Sequence, residues 1–103
     1  MEKLKRSYDL ALIKGAFSSV GALGRRTTSS AFIGAKLLSL SRQDVVSVIQ
    51  SLKPADFYKS MTSYSNNKIW QDVYHVKYQG RSIYLKFSCS DEQHYILISF
   101  KEK

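Results

Sequence analysis

Residues 82–88, Ser82-Ile-Tyr-Leu-Lys-Phe-Ser88, alternate polar and apolar side chains without a break, and Tyr95-Ile-Leu-Ile-Ser-Phe-Lys101 follows close behind. Alternation with a period of two is the pattern of a strand with one buried and one solvated face. It puts Ile83, Leu85 and Phe87 on one side and Tyr84, Lys86 and Ser88 on the other. The same parity sends Ile96, Ile98 and Phe100 inward, and Tyr95, Leu97, Ser99 and Lys101 outward. Upstream, Ile69–Tyr78 is rich in β-branched and aromatic residues and reads as a further strand. Gln79-Gly80 and Asp91-Glu92-Gln93 supply the turns. The expectation is an antiparallel meander with one open face of tyrosines and lysines. Solvated sheet faces are common. The same residue types also suit a nucleic-acid surface, where Lys meets phosphates and Tyr stacks on bases.

Something must cover the apolar face, and the first half of the chain reads as helices. Asp9 is placed to cap a helix whose Leu10, Ile13, Phe17 and Val20 share a stripe, ended by Gly21 and Gly24. A polar, basic connection, Gly24-Arg-Arg-Thr-Thr-Ser-Ser, offers several caps for a second helix over roughly 29–39, with Phe32, Ala35 and Leu38 inward. Ser41-x-x-Asp44 resembles a capping box, with Asp in place of the usual Glu. Val45, Val48, Ile49 and Leu52 follow at helical spacing until Pro54 stops the helix. The fold class is therefore α+β, with helices of the N-terminal half packed on one face of a small antiparallel sheet.

Composition narrows the function. The 103 residues are 44% hydrophobic, enough for one ordinary domain. Net charge is +8, which points to a polyanionic partner. Residues 1–53 hold nine Lys/Arg against three acids, and residues 54–103 hold seven against five, whereas ten of the thirteen aromatics lie in the second half. No apolar run approaches the ~20 residues that span a bilayer, and no signal-peptide pattern follows the charged start. The single Cys89 excludes an internal disulfide and fits a reducing cytoplasm. Cys89, His75 and His94 lack the spacing of a zinc site, so no metal or cofactor is expected.

Four blocks in order, Asp56-Phe-Tyr-Lys-Ser-Met-Thr-Ser-Tyr64, Ile69-Trp-Gln-Asp-Val-Tyr74, Ile83-Tyr-Leu-Lys86 and Ile98-Ser-Phe-Lys-Glu-Lys103, resemble the MqsR family of toxins. Arg25-Arg-Thr-Thr28 and the helices add a weaker, collinear likeness. The resemblance implies one RelE-like endoribonuclease domain over residues 1–103, the toxin of a type II toxin–antitoxin system. It implies cleavage of mRNA at GC-containing sites such as GCU, in the cytoplasm and without a metal. It implies an MqsA-like antitoxin as partner, contact with operator DNA only through that antitoxin, and no membrane. Its catalytic positions fall on Lys59, Gln71, Tyr84 and Lys101, all present here. Tyr84 and Lys101 are also on the open face by parity. Arg25, Arg26 and Lys86 are the expected RNA contacts. The chain departs from the family pattern at His-Val-Lys-Tyr-Gln-Gly between Tyr74 and Arg81, and at 88–94; both read as turn regions.

RNA carries its own nucleophile, the 2′-hydroxyl. A ribonuclease must remove that proton, stabilise charge on the phosphate and protonate the departing 5′-oxygen. His75 and His94 lie outside the matching catalytic blocks and read as surface or turn residues. A lysine crowded by other cations loses its proton more easily, so one lysine or Tyr84 is the expected base, another lysine the phosphate holder, and Gln71 an orienting group. The competing readings are a non-catalytic RNA- or DNA-binding domain and a module that grips an acidic protein partner.

Overall fold

The computed structural model describes residues 1–90 and 94–103. The turn expected at Asp91-Glu92-Gln93 lies outside the described residues. In chain order the elements are β1 (Glu2–Lys3), α1 (Leu10–Ala16), α2 (Val20–Leu23), α3 (Ser29–Leu37), α4 (Arg42–Ser51), a 3-10 turn (Pro54–Asp56), β2 (Phe57–Thr62), β3 (Trp70–Tyr78), β4 (Arg81–Ser90) and β5 (His94–Glu102). The five strands form one antiparallel sheet in the order β1-β2-β3-β4-β5. The α+β arrangement is as expected, with two more strands than the sequence pattern suggests. β1 is two residues long, too short for any periodicity. In β2 a bulge at Tyr58 interrupts the alternation, which hides the strand. Among the described residues no helix is long and apolar enough to cross a membrane.

Local chemistry accounts for the helix boundaries. The Asp9 carboxylate accepts a hydrogen bond from the Ala11 N–H at 2.8 Å and starts α1. That helix ends at Ala16, and Ser18-Ser19 breaks the stripe expected to continue to Val20. Val20 instead opens α2 and stays 36% exposed, while Leu23 turns fully inward. Thr28 caps α3 by accepting from the Ala31 N–H at 3.1 Å, and its own hydroxyl donates to the Ile98 carbonyl at 2.8 Å. Ala31, Ala35 and Leu38 are buried there, and Phe32 is half-buried beneath the Arg42 guanidinium. The Ser41–Asp44 box closes in both directions, at 2.8 and 3.1 Å. Val45, Val48, Ile49 and Leu52 of the next stripe are all buried. Gln79 and Gly80 both have positive φ, 51° and 79°, as the tight turn between β3 and β4 requires.

The helices cover one sheet face, where Ile13, Phe17, Leu23 and Ile49 join Tyr74, Leu85, Phe87, Leu97 and Phe100 in the core. One part of the parity reading is wrong. Lys86 pairs with Ser99, but Phe87 pairs with Leu97, so Ile98 is an extra residue in β5. Before that bulge the inward residues are Tyr95 and Leu97, at 6% and 0% exposure, and Ile96 and Ile98 are half-buried. After it Phe100 faces the core while Ser99 and Lys101 share the open side, as expected. A one-residue bulge exchanges the faces of every residue on one side of it.

Candidate active site

On the face away from the helices, strand register arranges side chains in cross-strand rows. One row runs Glu2, Met61, Gln71, Ser88, Ile96; the next runs Lys59, Val73, Lys86, Ser99; the third runs His75, Tyr84, Lys101. Residues directly opposite in an antiparallel pair point to the same side of the sheet. Lys59, Gln71, Tyr84 and Lys101, expected together from sequence, therefore occupy three adjacent rows of a single face. Lys59 and Lys101 are three strands apart, about 14 Å between backbones at ~4.8 Å per strand. Lys86 stands between them. Val73, in the row of Lys59 and Lys86, is fully buried, so its neighbours close over the middle of the face.

The charged groups are not equivalent. The Lys59 ammonium donates to the Glu2 carboxylate at 2.6 Å, and that hydrogen bond raises its pKa above the usual lysine value. Burial lowers the pKa of Lys86, and the charges of Lys101 and Lys59 lower it further. The cation crowding expected within the lysine cluster thus falls on Lys86, because Lys59 has an acid beside it. The Lys101 ammonium lies 5.0 Å from the centre of the Tyr84 ring. Burial raises the Tyr84 pKa, so its hydroxyl keeps its proton at neutral pH. The Gln71 amide is half-buried, with no hydrogen bond to another described residue.

Two aromatic groups on this face were not foreseen. The β2 bulge turns Tyr58 onto it, where the ring stacks on His75 at 4.3 Å between centres, and His75 lies 5.6 Å from Tyr84. His75 is neither a turn residue nor a plain surface residue: it is half-buried in the middle of β3. The departure from the family pattern over 75–78 is accordingly strand, and part of it borders the candidate site. Tyr58 was legible in the Phe-Tyr-Lys block; His75 was legible only by its parity with Gln71 and Val73. A cleft of about 400 Å³ opens against His75, lined also by Lys53, Asp56, Lys77, Ser82 and Lys103.

Arg25 and Arg26 are not brought to this face. They lie beside Gly15, Ala16 and Ala22, at the helix side of the β5 edge. There the Arg26 guanidinium donates to the Tyr95 carbonyl at 3.3 Å and approaches His94 Nδ1 at 3.4 Å. His94 Nε2 is 3.3 Å from the Arg25 carbonyl. Backbone pairing of Arg26 and Thr28 with Leu97 holds this connection against β5. Trp70 is half-buried on the opposite side of β3 from Gln71, with the Lys3 ammonium 4.1 Å above its ring. Among the described residues no three His, Cys, Asp or Glu side chains group as metal ligands would.

Comparison with known proteins agrees with the sequence blocks. Residues 5–102 match the MqsR toxin family, described as motility quorum-sensing regulator, toxin of MqsA. The mRNA interferase toxin MqsR of Escherichia coli (strain K12) is 44% identical over 78 residues, which are 76% of this chain and 78% of that protein.

Proposed function

The chain belongs to the MqsR toxin family, and from that premise we propose that it is an endoribonuclease toxin that cuts mRNA on the open face of its sheet. What supports this reading most is the meeting of Lys59, Gln71, Tyr84 and Lys101, distant in sequence, on three adjacent rows of one face. The roles follow from the electrostatics. Lys59, held protonated by Glu2, and Lys101, exposed beside Tyr84, frame the phosphodiester from opposite sides and offset the charge that develops on it. Tyr84 keeps its hydroxyl proton and is suited to donate it to the departing 5′-oxygen. The uncommitted Gln71 amide orients the phosphate or a base edge. Attack by the 2′-oxygen forms one P–O bond as the P–O5′ bond breaks, giving a 2′,3′-cyclic phosphate and a 5′-hydroxyl.

The finer parts of the reading are an MqsA-like antitoxin as partner, action in the cytoplasm, independence of metal, and preference for GC-containing sites such as GCU. They are tested by incubating the purified protein with a defined mRNA in EDTA and mapping the ends. We expect cleavage that survives chelation, 5′-hydroxyl ends, and a fall of about 100-fold or more in Lys59→Ala and Tyr84→Phe. Intact RNA, or products with 3′-hydroxyl ends, would sink this reading. Unchanged cutting with weakened binding in the two variants would leave these side chains as RNA contacts alone.

A further inference from the structure

We infer that His75 is a further catalytic residue of this face, the group that takes the proton from the attacking 2′-hydroxyl. The inference rests on the ribonuclease reading above and supplies the base that Lys59 and Tyr84 leave unassigned. Lys59 is held in its charged form by Glu2, and Tyr84 is held in its neutral, protonated form by burial, so neither offers a free lone pair at neutral pH. His75 does. Its imidazole is in the same row as Tyr84 and Lys101, clamped between the Tyr58 and Tyr84 rings at 4.3 and 5.6 Å. Neither ring nitrogen has a hydrogen bond to another described residue. The 400 Å³ cleft at its edge gives a nucleotide room to reach it.

The surroundings keep the ring neutral. Burial lowers its pKa below the ordinary 6.5, and the charges of Lys103 and Lys59 lower it further. Tyr58 and Lys59 face it from β2, Tyr84 and Lys86 from β4, and Lys101 and Lys103 from β5. Lys53 and Asp56 border it from the 3-10 turn, and Lys77 from its own strand. The single carboxylate among these, Asp56, is taken up by the Lys53 backbone N–H at 2.8 Å. With cations around a half-buried ring, the neutral form dominates near pH 7 and is ready to accept a proton. In the step itself the 2′-proton passes to a ring nitrogen, the O2′–P bond forms and the P–O5′ bond breaks. The 5′-oxygen takes the Tyr84 proton, and proton exchange with water then resets both side chains.

The test compares wild type with His75→Phe, which preserves an aromatic ring between Tyr58 and Tyr84 but has no lone pair, and with His75→Ala. Cleavage is followed from about pH 5 to 8. Binding is measured in parallel on an RNA whose 2′-hydroxyl at the cut is replaced by hydrogen. We expect wild-type kcat/KM to rise with pH along a limb centred below 6.5, the His75 reference value that its surroundings lower. At pH 7 kcat/KM should fall about 100-fold in both variants while Kd changes little, the acid limb should disappear, and added imidazole should restore part of the rate to His75→Ala. Near-wild-type cutting by His75→Phe, or an unaltered acid limb in either variant, would overturn the proposal and leave stacking as the role of the ring. A loss confined to Kd would overturn it as well. RNA left intact by the wild-type protein would remove the ribonuclease reading and this one together; wild-type cutting with active variants removes this one alone.

Discussion

Asp72 shows why neighbouring residues of one sequence block have different work. It adjoins Gln71 but points to the other side of β3, where it is fully buried. Its carboxylate accepts from the Ser7 N–H at 3.0 and 3.1 Å and from the Tyr8 N–H at 3.0 Å. The Tyr8 hydroxyl adds a hydrogen bond to the Trp70 carbonyl at 2.7 Å. Together these bonds tie the segment before α1 to the sheet. Asp72→Ala should cost about 2–4 kcal/mol, because it strands two backbone donors in the interior. Urea unfolding checks this. The rate per folded molecule should stay within roughly twofold of wild type; a large loss of rate in the folded variant would instead move Asp72 into the chemistry.

At the scale of elements, the bulge at Tyr58 brings an aromatic onto the open face, and the bulge at Ile98 lets Tyr95 and Leu97 enter the core while Lys101 stays outside. The packing of α3 on β5 fixes the far edge of the sheet. It is close because Gly34 has no side chain: a methyl group there would run into the Phe100 carbonyl oxygen. Gly15 in α1 has open space around the same position. Alanine should therefore have opposite effects at the two glycines. Gly15→Ala should stabilise by about 0.5–1 kcal/mol through helix propensity. Gly34→Ala should destabilise by about 2 kcal/mol, since the overlap with backbone outweighs that gain. Denaturation midpoints of the two variants decide it; a stabilised Gly34→Ala would mean that α3 shifts freely on β5.

For the molecule as a whole, the distribution of charge matters more than its sum. The N-terminal half carries most of the excess, yet Lys36 is on α3 and Arg25 and Arg26 are at the helix side. The open face and its cleft collect Lys59, Lys77, Lys86, Lys101 and Lys103 from the half whose net charge is small. Asp72, an acid of that half, is buried on the opposite side. On the proposed reading, these lysines would attract RNA to the same surface as the chemistry. Binding of single-stranded RNA should weaken with salt at about −0.7 in log–log slope per phosphate engaged, so roughly −3.5 if each of these five lysines engages one. Lys77→Ala should reduce that slope by about 0.7, and Lys36→Ala should leave it alone. Fluorescence anisotropy across a salt series measures both; an equal effect of Lys36→Ala would put RNA on the helical layer.

Periodicity and capping residues by themselves determined the start of α1, the helices α3 and α4 with the Ser41–Asp44 box, the three long strands and the outward parity of Tyr84 and Lys101. They did not determine the break after Ala16 that makes α2 a separate helix. These rest on side chains within a few residues of one another, and local chemistry governs them. The likeness of four blocks to one family supplied Lys59 and Gln71, whose surroundings no local pattern describes. Only the tertiary structure decided the rest. A strand of two residues and a strand with a bulge exist because a neighbouring strand completes their hydrogen bonds. A bulge reverses faces without leaving a mark in composition. The Glu2–Lys59 pair and the Tyr58–His75–Tyr84 ladder join residues far apart in the chain. Which lysine is paired, which is crowded and which imidazole is kept neutral are properties of neighbours in space, and cross-strand register sets those neighbours.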